Sequence, residues 1–182
     1  MPTDMIQPDR PKGPASHVEV IRTYLEMNHP GALRRVALPA EVRIEQVLHC
    51  PVSFHRFLYR EVGKLYHWRD RLNWTDEAIR SYLDDDTITL YVLYQEGAPA
   101  GYFELRRWED ASTEIAYFGL LPEFTGRGLG KALLSGAVER AWASGATRVW
   151  LHTCTLDDPA ALPNYLKRGF QSFREERYST TL

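Results

Sequence analysis

A chain of 182 residues with 44% hydrophobic and 25% charged residues has the mixture of an ordinary globular protein, long enough for one sizeable core and short for two. Its 22 Lys and Arg nearly offset 24 Asp and Glu, giving −2, which leaves no electrostatic footprint for a nucleic acid or a polybasic membrane surface. No apolar run nears the ~20 residues of a membrane span, and two cysteines, Cys50 and Cys154, are too few for a disulfide framework or a cysteine-rich zinc site, so no metal is expected and a reduced, cytoplasmic setting is the default.

The first sixteen residues, MPTDMIQPDRPKGPAS, hold four prolines and lack the apolar stretch of a secretory signal. Residues 1–17 are read as a flexible leader, and residues 18–182 as a single domain. VEVIRTYLEM, from Val18, has strand character, whereas ALRRVALPAEVRIEQVL, from Ala32, is open between strand and helix. From Pro51 to Val62 the period turns helical, with Phe54, Phe57, Leu58 and Val62 on one face. A second helix is expected at Thr75, whose hydroxyl caps it while Asp76 and Glu77 suit the positive end of the helix dipole.

After Asp86 the period changes again. TITLYVLYQ, GYFELRRW and STEIAYFGLL read as three strands joined by the turns EGAPAG and EDAS, an antiparallel meander. A glycine-rich loop then opens an apolar helix that Gly145 ends. TRVWLHTCT is a buried-looking strand, a short helix runs to about Arg168 with Gly169 as its stop, and FQSFREERYST is a last strand. The class is α/β (α+β), a mixed and mostly antiparallel sheet with helices on both faces.

The loop Thr125-Gly126-Arg127-Gly128-Leu129-Gly130-Lys131 sits between a strand and a helix. Glycines let a backbone take unusual φ and approach a ligand closely. The first N–H groups of the new helix have no internal partners, and the dipole there favours an anion. Arg127 and Lys131 add positive charge, so a phosphate or pyrophosphate is the natural guest; a plain tight turn is the other reading. The spacing is neither a Walker A loop nor a dinucleotide fingerprint.

With these residues in view, EIAYFGLLPEFTGRGLGKALL resembles the core motif of the GNAT superfamily of acyl-CoA N-acyltransferases, and DDPAALPNYLKRGF resembles its second motif through Ala161, Tyr165, Gly169 and Phe170. The two together span about Glu114 to Phe170. The resemblance implies acetyl-CoA, or another short acyl-CoA, as donor, with direct transfer to an amine. It places the glycine loop, residues 125 to 131, at the pyrophosphate and the main chain of Phe118 and Leu120 along the pantetheine arm. It gives Tyr165 as general acid to the sulfur and Glu114 as base, with Glu104, Tyr117 and His152 as further candidates for the base. Core packing is the plainer role for Phe118, Leu120 and Tyr165, and a surface strand position for Glu114.

Thr125 departs from the family's usual Arg or Gln. Asp158, in place of a common Asn, reads as an N-cap followed by Pro159 at the first helical position, and Pro163 is expected to distort the first turn of the short helix. Cys154 is set aside as an acyl carrier because it lacks a matched base. On the acceptor side, six aromatic residues crowd into 54–74, with His55, His67, Arg69 and Arg71 among them. Phe54, Phe57, Tyr66, Trp68 and Arg69 are the expected lining for an apolar acceptor, an ammonium or an acceptor carboxylate; aromatic core is the alternative. A small amine or amino-acid-like acceptor comes first, and a protein lysine or N-terminus second. A catalytically silent acyl-CoA-binding module is the competing class. Members of the family are often dimers, which leaves a homodimer open.

Overall fold

The computed structural model describes residues 17–181. The expected leader lies outside the described residues, except for His17, which opens the first strand. Seven strands and four α-helices follow: β1 (His17–Met27), β2 (Val42–Gln46), α1 (Val52–Gly63), α2 (Asp76–Leu83), β3 (Ile88–Gln95), β4 (Ala98–Arg107), β5 (Ser112–Leu120), α3 (Leu129–Ala143), β6 (Arg148–Cys154), α4 (Ala161–Lys167) and β7 (Gln171–Thr181). They form one sheet in the order β2-β3-β4-β5-β6-β1-β7, antiparallel except where β5 meets β6. The mixed sheet with helices on both faces is therefore as the sequence implied.

Local chemistry explains much of the chain order. Thr75 Oγ1 accepts from Ala78 N at 3.2 Å, and α2 starts there with Asp76 and Glu77 in its first turn. The β3–β4 hairpin closes over Glu96 and Gly97, both at positive φ, the backbone twist that suits a two-residue hairpin loop. Gly145 (φ 89°) and Gly169 (φ 103°) terminate α3 and α4 in the left-handed region.

Two features depart from the sequence reading. The ambiguous segment from Ala32 contains the edge strand β2, where Val42 and Ile44 turn inward and Arg43 and Glu45 outward. Five residues are too short a run for the period of two to stand out. Helix α1 packs three of its four expected residues inward, Leu58 and Val62 in the core and Phe54 against it, and departs from the reading at Phe57. His55, Leu58, Tyr59 and Val62 are its buried stripe, Phe57 is 40% exposed, and Phe54 stacks on Phe57 at 6.3 Å. The buried stripe brings the His55 imidazole to the Glu104 carboxylate on β4, and Phe57 is left at its exposed side.

Successive residues of β4 divide the core. Phe103 and Leu105 face α3, joining Leu133, Leu134, Ala137 and Val138. Tyr102 faces α1, joining Leu58, Val62, Leu90 and Val92. Strand β5 hydrogen-bonds β6 in parallel over Ser112–Glu114 against Arg148–Trp150 and nowhere beyond. A register shift between Glu104 and Leu105 leaves Ala116 as an extra residue in β5, a bulge that bends the strand. Farther along β5, α1 lies so close that a Cβ on Gly119 would sit 2.4 Å from Val62 Cγ1. Gly119→Val is therefore expected to cost about 1–3 kcal/mol of stability through overpacking, read as a lower urea midpoint; an unchanged midpoint would contradict the close approach.

Candidate active site

Past Glu114 the edge of β5 facing β6 has no strand partner, and a cleft of about 1120 Å³ opens there. Phe118, Leu120, Thr125, Gly126, Gly128, Gly130, Lys131 and Tyr165 line one part of it, and Glu114, Tyr66, Trp68 and Arg69 line another. Most of the expected site residues thus share one cavity.

The loop after β5 is shaped by its own bonds. A short 3₁₀ turn (Pro122–Phe124) leads to Thr125, whose hydroxyl donates to the Pro122 carbonyl at 2.8 Å. The Thr125 side chain is thereby engaged within the turn. Gly126 and Gly128 take φ of 73° and 79°, and a Cβ built on either would meet no protein atom within 4 Å. The left-handed backbone and the open space fit a close approach by a pyrophosphate to the first N–H groups of α3. Arg127 and Leu129 do not line the cleft. The Arg127 guanidinium, on an exposed loop residue, lies over the Phe124 ring at 5.2 Å, and the Leu129 side chain is in the core, so Leu129 has only main-chain groups to offer a ligand.

Tyr165 lies on α4, almost fully buried, its ring edge-on to Phe118 at 6.1 Å and to Phe170 at 6.2 Å. Burial, then Asp157 and Asp158, raise its phenol well above the ordinary range, so it stays protonated and able to donate. Its hydroxyl has no hydrogen-bond partner among the described residues. Helix α4 begins at Ala161 rather than at Pro159. Asp158 Oδ1 accepts from Ala160 N at 2.8 Å and so caps the turn before the helix. Pro163 falls in the first turn of α4, where its missing N–H has no acceptor within the helix to lose. Asn164 Nδ2 reaches the Gly130 carbonyl at 3.5 Å, tying α4 to the glycine loop.

Glu114 is 8% exposed and sits at the vertex where β5 and β6 part. Burial lifts its carboxyl above the usual range, opposed by the Trp108 indole N–H, which donates to Oε2 at 3.2 Å, and by Arg106 and Arg71. Its neighbours across the cleft were partly missed by sequence reasoning: Asp70, Trp74, Tyr82 and Arg106 also line the cavity. They come from the α1–α2 loop, α2 and β4, which only the fold brings together. Tyr117 lines the cleft and donates to Asp70 at 2.7 Å. His152 lines it as well, packed against Tyr24. The Cys154 thiol is raised by burial, which suits a protonated bystander.

Glu104, a candidate base from sequence, is fully buried and outside the cleft lining. Arg71 Nη1 donates to Oε1 at 3.0 Å and to Oε2 at 2.8 Å, Tyr82 Oη donates at 2.5 Å, and His55 Nε2 lies 3.1 Å away. Burial alone would raise this carboxyl, but the bonds from its three partners hold it below the ordinary range. It is an ion-pair anchor and has no free lone pair aimed at a substrate. Arg71 lies 4.0 Å from the ring centres of both Tyr82 and Tyr117 and 5.0 Å from that of Trp74. These rings therefore already hold a cation, supplied by the chain. Trp68 packs against Tyr59, Tyr102 and Tyr117. Phe54 and Phe57 do not reach the cleft: Phe54 packs against the core around Leu58 and Val62, and Phe57 is exposed. Tyr66 Oη donates to Asp158 Oδ2 at 3.0 Å, joining the α1–α2 loop to the turn before α4. Burial and Asp158 push its phenol up to about 12.

Among the described residues there is no cluster of three or more His, Cys, Asp or Glu able to hold a metal, and no helix is long and apolar enough to cross a membrane.

Known proteins resemble this chain in sequence and in fold. An uncharacterized N-acetyltransferase of Mycobacterium bovis is 30% identical over 99 residues, covering 54% of this chain and 63% of the relative. An uncharacterized N-acetyltransferase of Mycobacterium tuberculosis matches with the same figures. The chain thus spans less than two thirds of the length of these relatives. Among solved structures, a functionally unknown conserved protein of Staphylococcus epidermidis superposes with a TM-score of 0.67 at 21% identity, over 90% of this chain and 61% of that one. A GCN5-related N-acetyltransferase of Kribbella flavida gives 0.64 at 20%, over 91% and 59%. An aminoglycoside acetyltransferase from an uncultured soil metagenomic sample, in complex with sisomicin, gives 0.60 at 15%, over 70% and 88%. At these identities the structural likeness speaks for the fold. The model of the Acetyltransferase (GNAT) family matches residues 55–170, well over half of the sequence, and the chain belongs to that family.

Proposed function

We propose that the protein transfers an acetyl group from acetyl-CoA, or another short acyl group from its CoA thioester, directly to a primary amine on a small, amino-acid-like acceptor. The observation that carries this reading is the single cleft between β5 and β6, which joins the glycine loop and Tyr165 to Glu114. A small-molecule acceptor has a precedent in the aminoglycoside acetyltransferase of similar fold.

CoA supplies the activated thioester. The chain's own part is to bind, align and move protons. The α3 N-terminus, helped by Lys131, holds the pyrophosphate, and the free edge of β5 around Phe118 and Leu120 offers main-chain groups to the pantetheine arm and the developing oxyanion. An alkylammonium with a pKa near ~10.4 must lose a proton before it attacks. Glu114, raised by burial and facing the cleft, takes that proton directly or through a water. Tyr165, kept protonated by burial, donates to the departing sulfur. Orientation along the cleft supplies a further part of the rate.

The deciding experiment is an acetylation screen of amines and amino acids, read as thiol release from acetyl-CoA with the product confirmed by mass. Turnover of at least one acceptor supports the proposal; firm CoA binding with no turnover of any acceptor favours the silent binding module instead. Gly128→Val places a branched side chain at positive φ in space open to the cleft, and CoA affinity is expected to fall by about tenfold or more, the worth of one charge-assisted hydrogen bond. Calorimetry of the folded variant checks this, and unchanged affinity would remove the loop from the CoA site. Tyr165→Phe is expected to lower kcat by about a hundredfold while CoA affinity stays nearly constant; equal kcat would take the acid role from Tyr165. Because Glu114 must be ionised to act, kcat/KM is expected to fall as pH drops through a pKa above the ordinary carboxylate range. Glu114→Gln should erase that limb, and a limb that persists assigns it to another group.

A further inference from the structure

We infer that the acceptor carries a carboxylate beside its amine and that Arg71 is the residue that recognises it. The inference rests on the reading that the Glu114 part of the cleft is the acceptor side.

Arg71 is 7% exposed yet lines the cleft. Its hold on Glu104 runs through Nη1 alone, which spans both carboxylate oxygens. Nε and Nη2 have no partner among the described residues, and neither is sealed away in the interior. That edge of a guanidinium presents two parallel N–H donors, the geometry that matches a carboxylate with two hydrogen bonds. An unpaired fork at the wall of the cleft, on a side chain otherwise so buried, points to a group that arrives with the ligand.

The fork is also held in place before anything binds. Glu104 fixes one side of the guanidinium, and the rings of Tyr82 and Tyr117 lie 4.0 Å from its carbon. Little side-chain freedom remains to be lost on binding, which favours affinity. Glu104 cancels the net charge of Arg71, so selection works through donor geometry more than through long-range attraction. Glu114, close enough to Arg71 to feel its charge, stands ready for the ammonium. A zwitterion with its amine toward Glu114 and its carboxylate toward Arg71 satisfies both groups. A plain alkylamine would leave the fork empty.

The test compares ligand pairs that differ only in the carboxylate. N-acetyl derivatives of phenylalanine, leucine, lysine and glutamate, and the N-acetyl amines left by removing the α-carboxyl, are titrated calorimetrically into the full chain saturated with CoA. At least one acid is expected to bind about ten- to a hundredfold more tightly than its partner, the range of a charge-assisted hydrogen bond. Arg71→Lys keeps a positive charge for Glu104 and removes the second edge, so this ratio should fall to within about threefold. If no acid is preferred in the wild-type protein, or if the preference survives in the folded Lys variant, the inference is overturned. The wild-type comparison decides the matter even where the variant does not fold. Failure of every amine to be acetylated, with the acid preference intact and lost in Arg71→Lys, would sink the proposed activity and leave Arg71 only as a carboxylate-binding residue of the cleft. Acetylation with equal kcat/KM for amino acids and their decarboxylated counterparts would do the reverse.

Discussion

Ser112, Thr113 and Glu114 run beside Arg148, Val149 and Trp150 as parallel neighbours, and after them the two strands part. The cleft, the free edge of β5 and the position of Glu114 all follow from that parting. Strand β5 stays paired to β4 on its other side along its whole length, with the bulge at Ala116 bending it. The exposed edge is therefore held by a complete ladder behind it, and its main-chain groups are fixed in direction before a ligand arrives. An unpaired edge within a sheet is normally a liability. Here α3 and α4 flank the gap, and the Tyr66–Asp158 hydrogen bond ties loops on its two sides together.

A second constraint lies on the other face of the sheet. Glu104 sees no water, and a buried carboxylate persists only if it is fully paired. Arg71, Tyr82 and His55 come from the α1–α2 loop, α2 and α1, so satisfying one carboxylate fixes three separate segments against β4. Such a pair adds little stability over a well-packed apolar core. What it does supply is register: α1 is set with His55 against β4, and Arg71 is brought to the cleft wall.

The legible parts of the sequence were those whose physics is local. The Thr75 cap, the glycine stops and the residue 125–131 loop each depend on a few adjacent residues, and two motifs in order carried the family. The place of β1 between β6 and β7 was not legible, because strand partners far apart in sequence leave no mark on either strand alone. The same holds for Arg71 and Glu104, 33 residues apart. The aromatic cluster was visible as a composition, but composition carries no direction. Trp68 and Tyr66 reach the cleft, Phe54 and Phe57 do not, and the cation the rings hold is the chain's own arginine. The aromatic surplus is thus scaffold first and pocket wall second.

If the cleft is divided as proposed, its donor and acceptor halves are built in different chemical languages. The donor half rests on backbone: a free strand edge, left-handed glycines and a helix N-terminus. Thr125 stands where the family often has a charged or amide side chain, and its hydroxyl is committed to the Pro122 carbonyl. The acceptor half rests on side chains whose positions are set by long-range pairing, from Glu114 against Trp108 to Arg71 against Glu104. A single substitution in that half changes which groups face the substrate without touching the donor site. On the proposed reading, donor binding is thus written in the main chain of this fold, and acceptor choice in a handful of buried side chains on the face that carries α1 and α2.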